Sequence, residues 1–319
     1  MKRILVTGAF GQIGSELVPA LRKKFGNENV FAMGHMNTKG VDLGEGPVVF
    51  GDVTRKEDLE KIVRKNGIDT IYHMAAIISA KGEQNPQAAY HVNMTGTYNV
   101  LEVGREFKLE RIMIPSSMAV YGSDAPKKNT SNDAVLHPST MYGATKVAGE
   151  LLGTYYFHKY GLDVRGVRFP GIISSEALPG GGTTDYAVAI FYEAIQSKKY
   201  ECFLQKGTFL PMMYMPDALK ALMDLADAPV SKLKRHADFN VNAMSFAPEQ
   251  LAAEIQKHVP EFAITYKPDF RQAIADSWPA SLDDSCARSE WDWKPSYDLT
   301  AMTKDMLVRL AVRLGKKQS

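Results

Sequence analysis

Tyr142 and Lys146 stand four residues apart in the run Tyr142-Gly143-Ala144-Thr145-Lys146. Positions i and i+4 of a helix share a face, so a phenol and an ammonium can reach one site. Tyrosine is a poor base at its reference pKa of about 10. A neighbouring lysine cation and an oxidised nicotinamide would both favour the phenolate. Lowering the pKa by roughly three units takes about 4 kcal/mol, within reach of two cations in a dry site. A second run, Pro115-Ser116-Ser117-Met118-Ala119-Val120-Tyr121-Gly122, follows an aliphatic stretch and adds two hydroxyls. A serine placed there can hold a substrate oxygen against the tyrosine. A surface tyrosine beside a solvated lysine would show the same spacing, so context has to decide.

Part of that context is a glycine run at the amino terminus, Thr7-Gly8-Ala9-Phe10-Gly11-Gln12-Ile13-Gly14. Gly8, Gly11 and Gly14 suit a tight turn, close approach of a pyrophosphate and close packing of helix on strand. The phosphates would sit on free N–H groups at a helix N-terminus. An acidic residue for the adenosine ribose is expected about 20 positions on. Gly34 stands there, followed by His35, Met36, Asn37, Thr38 and Lys39, with no carboxylate or arginine among them. Asp52, in Gly51-Asp52-Val53, is placed to accept from an adenine amino group or to cap the next helix. NAD is expected over NADP. His35 and Lys39 could help a 2′-phosphate, but neither has the fork of an arginine.

Elements able to position these residues can be read from periodicity. Strands are expected at Arg3–Val6, Asn29–Met33, Val48–Phe50, Thr70–Met74, Arg111–Ile114 and Val164–Arg168. Helical spacing covers Gln12–Phe25, Lys56–Lys65, Gln87–Phe107 and Ser139–Tyr160. Such alternation marks a doubly wound parallel sheet, whose ligands lie beyond the carboxyl ends of its strands. Pro170 to Thr184, rich in glycine, reads as one long functional loop. Helices follow near Asp185–Lys198, Asp217–Ala226 and Pro248–His258, and Gly315–Ser319 reads as a frayed tail. Met212, Met213 and Met215 read as strand core.

Composition narrows the class. With 38 basic and 36 acidic side chains in 319 residues, nothing points to nucleic acid or membrane. The longest uncharged run, Thr70 to Ala80, is too short to span a bilayer, which takes about 18 residues. Ile4-Leu5-Val6 already reads as a strand, so no signal peptide is expected. Two cysteines without a CxxC, and histidines without HExxH spacing, supply neither a disulfide framework nor a metal site. A cytoplasmic protein is expected.

With these motifs in order, the chain resembles the extended short-chain dehydrogenase/reductase family. The likeness rests on TGxxGxIG, His73-Met74-Ala75-Ala76, Val92-Asn93-Met94-Thr95-Gly96-Thr97, SSxxVYG and YxxxK, and reaches Asp284-Ser285-Cys286-Ala287-Arg288 and Trp293-Lys294-Pro295. It implies a Rossmann-type NAD-binding fold, residues 1–170 plus about 212–242, with a smaller mixed α/β substrate domain, about 171–211 plus 243–319. It implies that Ser117, Tyr142 and Lys146 are catalytic. By the same resemblance the cofactor is held by Gly8, Gly11, Gln12, Ile13, Gly14, His35, Asp52, Val53, Met74, Ala75, Ala76, Asn93, Tyr142, Lys146 and Pro170. Asn93 has helix packing as its equal alternative.

Four long segments narrow the likeness to the short-chain L-threonine 3-dehydrogenases: Arg168–Ser174, Leu178–Ala187, Leu210–Asp217 and Ser277–Ser285. This branch implies NAD-dependent oxidation of L-threonine at the 3-hydroxyl to L-2-amino-3-oxobutanoate, in threonine catabolism. Ser79, Gly182, Thr183 and Thr184, with Ser117 and Tyr142, would bind the amino acid; which threonine points inward stays open. A homodimer through the helices near Gln87–Phe107 and Ser139–Tyr160 is expected. Two rivals share the scaffold: a nucleotide-sugar epimerase or dehydratase, and a regulatory dinucleotide binder without catalysis. The first needs a basic residue near Leu210–Tyr214, which carries none; intact Ser117, Tyr142 and Lys146 argue against the second.

Overall fold

The structure, a computed structural model, describes residues 1–35, 41–178 and 180–315. Lys39, Pro179 and residues 316–319 of the expected tail lie outside the described residues. A six-stranded sheet runs, edge to edge, Val48–Phe50, Val30–Gly34, Ile4–Thr7, Thr70–His73, Arg111–Met113, Val164–Arg165. All its pairings are parallel. The central strand shows how it is covered. Ile4 and Val6 pack into one core with Leu17, Val18 and Leu21 of the helix Gln12–Phe25 and with Ala218 and Leu222 of the helix Met215–Asp227. Leu5, pointing the other way, packs with Leu59, Ile62, Val100 and Val103 of the helices Lys56–Asn66 and Gly96–Glu106. Alternating side chains on one strand thus feed two cores, as a sheet buried on both faces requires. The strand order reverses between Ile4–Thr7 and Thr70–His73, and the crevice beyond that switch point is where ligands bind in such sheets.

Several expected elements come out differently. The single helix expected over Gln87–Phe107 is Pro86–Tyr90, a π-helical turn at His91–Thr95, and Gly96–Glu106. The Asn85 side chain caps its start, accepting from the Ala88 N–H at 3.0 Å. The strand expected over Val164–Arg168 breaks at Gly166 into Val164–Arg165 and Val167–Phe169. A Cβ on Gly166 would stand 2.3 Å from the Ile114 carbonyl oxygen, so only glycine lets the chain step there. The second piece leaves the main sheet and pairs with Ser116–Ser117 and Phe239–Asn240.

The segment expected as one loop over Pro170–Thr184 begins with a strand, Gly171–Ile173, parallel to Leu210–Tyr214. Pro170 before it and the glycine-rich stretch after it hid a run too short to show alternation. Leu210–Tyr214 is buried at every position; Met212 and Met213 are strand core, as expected, while Met215, also buried, opens the helix Met215–Asp227. Beyond it, the helices Arg271–Ser277 and Leu299–Arg313 complete a third core, to which Trp278, Met302, Met306 and Leu310 belong, while Ala287 and Trp291 of the helix Ser285–Trp291 join the core of Ile4 and Val6. Among the described residues no helix is long and apolar enough to cross a membrane.

Candidate active site

A deep cavity opens at the switch point and runs from the glycine run to the tyrosine–lysine pair. Gly8 forms its floor with a positive φ of 63°, and a Cβ there would stand 2.6 Å from the Ala75 nitrogen. At Gly14 a Cβ would stand 2.3 Å from the Gly8 carbonyl oxygen. Gly11 is different: its Cβ would meet only the Gly8 oxygen, at 3.3 Å, so the space before it is open. Two glycines are therefore needed by the fold, and the third leaves room over a helix N-terminus. A diphosphate fits that cradle. Gln12, Ile13, Met74, Ala76 and Pro170 also border the cavity. Ala75 sits behind Gly8, its N–H donating to the Thr7 hydroxyl at 3.4 Å.

Tyr142 and Lys146 lie on the first turns of the helix Met141–Tyr160. Thr140 caps that helix, its hydroxyl accepting from the Gly143 N–H at 3.1 Å, which fixes where Tyr142 enters. The Lys146 ammonium lies 5.6 Å from the Tyr142 ring centroid and donates to the Pro115 carbonyl at 2.6 Å. Burial pushes the phenol up to about 12, against a hydrogen bond from Ser117 that favours the phenolate. Burial also pushes the ammonium down to about 8, opposed by the Glu150 carboxylate. The starting point for the tyrosine is therefore higher than its sequence alone suggests. Bringing it from about 12 to near 8 asks for roughly 5 kcal/mol of added positive potential.

The far end of the cavity is built by the segment before the helix Tyr186–Gln196. Ser79, Gly182 and Thr184 border it. Thr183 is turned away, its hydroxyl 3.2 Å from the Ser79 hydroxyl, so Thr184 is the inward threonine. Two further residues there escaped the motif reading. Asp185 stands at the start of the helix, as expected, and its carboxylate turns back to accept from Gly181 and Gly182 N–H groups at 2.8 and 2.7 Å. Burial raises its pKa while those backbone bonds resist the rise. Trp278, only 5% exposed, forms another wall. The available signal for Asp185 was a lone carboxylate in a segment otherwise free of charge from Ala177 onward.

Some expected residues stand apart. His35, Asp52 and Val53 do not border the cavity. His35 Nε2 lies 3.7 Å from Asp52 Oδ2, beyond the strand ends where an adenosine would extend. Asp52 also accepts from the Thr54 N–H and hydroxyl at 2.9 and 2.8 Å, closing a turn before the helix Lys56–Asn66 rather than capping it. Val53 packs on Gly96, and its carbonyl accepts from Asn99 at 3.0 Å. Asn93 clamps the Ile77 backbone, accepting from its N–H at 2.8 Å and donating to its carbonyl at 3.0 Å. A third bond, to the Thr145 hydroxyl at 3.1 Å, ties that clamp to the helix carrying Lys146. Its geometry is that of a packing residue beside the site. Among the described residues no group of His, Cys, Asp and Glu has the arrangement of a metal site.

Sheet order, glycine cradle and buried tyrosine–lysine pair together define a nucleotide-dependent α/β oxidoreductase scaffold. The chain belongs to the NAD dependent epimerase/dehydratase family, whose pattern matches residues 4–241. An L-threonine dehydrogenase from Clostridium difficile, known from its X-ray structure, is 49% identical, superposes with a TM-score of 0.96, and is covered over 98% of each chain. The mitochondrial L-threonine 3-dehydrogenase of Sus scrofa is 45% identical over 306 residues, 96% of this chain and 82% of its own. A monomeric L-threonine 3-dehydrogenase from a metagenome is 45% identical, with a TM-score of 0.94 over 98% of this chain and 100% of its own.

Proposed function

We propose that this protein oxidises L-threonine at its 3-hydroxyl, with NAD as hydride acceptor, to L-2-amino-3-oxobutanoate. One observation carries the reading: a single cavity joins the Tyr142–Lys146 pair to a pocket bordered by Ser79, Thr184 and Asp185. The Ser79 and Thr184 hydroxyls and the Lys81 ammonium on the cavity lining suit a carboxylate, and the Asp185 carboxylate suits an ammonium. The relatives described above carry the same activity in their names. NAD, when bound, supplies the hydride acceptor and a positive charge near the phenol. Tyr142 takes the proton from the 3-hydroxyl, Ser117 orients that oxygen, and Lys146 stabilises the phenolate while reaching toward the cofactor ribose.

A nucleotide-sugar epimerase on this scaffold would need a grip for a second diphosphate. Leu210–Tyr214, where such enzymes place a cation, is uncharged and wholly buried here. Reduced nicotinamide should therefore accumulate, read by its absorbance, when NAD and L-threonine are supplied, and not with uridine diphosphate sugars. Simple secondary alcohols should fail too, because they leave the pocket's polar groups unpaired. Epimerisation of a nucleotide sugar with threonine inert would overturn the assignment.

The adenosine end supports a second expectation. Gly34 closes its strand, its carbonyl accepting from the Gly51 N–H at 3.1 Å, and it offers no side chain to a ribose. Gly34→Asp should tighten NAD by several-fold to about a hundredfold, the range of a charge-assisted hydrogen bond of about 1.5–3 kcal/mol, and suppress any NADP activity. Isothermal titration with both dinucleotides checks this. Higher efficiency of the natural protein with NADP would contradict the choice of NAD.

We also propose a cytoplasmic homodimer. Tyr90, Tyr98, Leu151, Tyr155 and Tyr160 are exposed on the two helical segments expected to pair. A patch of large apolar side chains on a helix pair suits a two-fold contact. Because one relative is monomeric, the assembly is a point of difference worth measuring. Sedimentation at micromolar concentration should give about twice the chain mass of 35.3 kDa, and the single-chain mass would contradict the dimer. For the division of labour we retain residues 1–170 plus about 212–242 for the cofactor and the remainder for the substrate. The pairing of Phe239–Asn240 with Val167–Phe169 is in keeping with that division.

A further inference from the structure

One turn beyond Lys146 on the same helix lies Glu150, 5% exposed, facing Arg168, 2% exposed. Arg168 grips the carboxylate with two bonds, Nε to Oε1 and Nη2 to Oε2, each 2.8 Å. The Ser116 hydroxyl, next in the chain to Ser117, donates to the same carboxylate. Arg168 is itself held, donating to the Tyr121 hydroxyl at 2.9 Å and the Asn132 carbonyl at 2.8 Å. Tyr121 in turn donates to Asn240 at 2.8 Å. A buried ion pair is weak support for stability, since apolar residues of like volume do as well or better. So complete a cluster beside Lys146 calls for another use. Glu150 and Lys146 also line one small enclosed cavity, together with Asn93, Thr145 and Pro115.

We propose that Glu150 is a positioning residue for the reaction: locked by Arg168 and Ser116, its carboxylate supplies the counter-charge that keeps buried Lys146 an ammonium beside Tyr142. The inference rests on the catalytic roles proposed above for Tyr142 and Lys146. Other groups facing Lys146 do not supply this charge. Tyr142 on the same helix is a neutral phenol until it reacts. His73, from the strand Thr70–His73, is pushed down to about 3 by burial and by Lys146 itself, so it stays neutral. Asp238 lies on the far side of Arg168, 3.8 Å from its guanidinium. Burial already draws the ammonium toward neutrality, and the Glu150 charge is what resists.

The sign follows. Glu150→Gln keeps one oxygen, able to accept from Ser116 and Arg168 Nε as Oε1 does, but loses the second acceptor and the charge, so Lys146 loses its proton at lower pH. The alkaline limb of kcat should move to lower pH by about one unit, leaving roughly tenfold less ammonium above the new midpoint. Affinity for NAD should stay within about twofold, because the glycine cradle is untouched. Lys146 should also be titrated directly by NMR of lysine labelled at Nζ, its signal assigned by loss in Lys146→Arg. That reading needs no substrate, so it stands even if L-threonine proves inert. The Glu150→Met, Arg168→Met double variant removes the pair without stranding either charge, and serves if Glu150→Gln does not fold. A lower Lys146 midpoint in either variant supports the proposal. An unchanged midpoint and pH profile, with only a lower melting temperature, would overturn it and leave the pair structural.

Discussion

Tyr142→Phe should reduce turnover by about 10²–10⁴-fold, the usual worth of a general acid–base group, while NAD binding stays nearly intact. The ring is buried in the cavity wall and phenylalanine keeps its shape, so the loss falls on the hydroxyl alone. The hydroxyl is hydrogen-bonded to Ser117 and lies beside the Lys146 ammonium, whereas the phosphate cradle is formed by Gly8, Gly11 and Gly14. Because burial holds the phenol up near 12, oxidation of substrate by the natural protein should rise with pH as the phenolate fills, until loss of the Lys146 proton sets the alkaline limb. In the variant that rise should vanish with the rate. Steady-state kinetics across pH, with nucleotide titration alongside, separates the two effects. A variant retaining more than half the natural rate would remove Tyr142 from the chemistry.

The second large effect is expected at Asp185. Asp185→Asn preserves an oxygen for the Gly181 and Gly182 N–H groups, so the turn should survive. It removes the only carboxylate among the described residues that line the cavity, and with it the charge suited to the substrate's ammonium. A hydrogen bond to a charged group is worth about 1.5–3 kcal/mol, so kcat/KM for L-threonine should fall by roughly 10–150-fold. The contrast with 3-hydroxybutyrate, which lacks the amino group, makes the test specific. The natural protein should prefer L-threonine strongly, and the variant should lose most of that preference. An unchanged preference would mean that the ammonium is held by another group.

How these residues could be found from the sequence differs sharply among them. The glycine run and the tyrosine–lysine pair are local: their spacing encodes a turn and a helix face, and the structure places both at the switch point of the sheet. The inner strands were legible for a similar reason, being short aliphatic runs buried on both faces. Asp185 was hidden because its role is made by the chain turning back on Gly181 and Gly182, which no periodicity records. The strand Gly171–Ile173 was hidden by its neighbours. Its pairing with Leu210–Tyr214 joins residues 41 apart in the chain, as Gly171 with Met212. The helix Leu299–Arg313 did carry a readable stripe, Met302, Met306 and Leu310, all wholly buried. The break between Val164–Arg165 and Val167–Phe169 turned on Gly166, where the obstacle is the backbone of Ile114 and Ala237. Glu150 and Arg168, eighteen residues apart, became a pair only when strand and helix were brought together.

In the proposed reaction, hydride leaves C3 of L-threonine within this cavity. L-threonine carrying deuterium at C3, incubated with the protein and NAD, tests it directly by mass spectrometry of the nucleotide and the product. One deuterium should appear in the reduced nicotinamide and none at C3 of the L-2-amino-3-oxobutanoate, with a slower rate where hydride transfer limits turnover. Deuterium remaining at C3 with no labelled nicotinamide would contradict it.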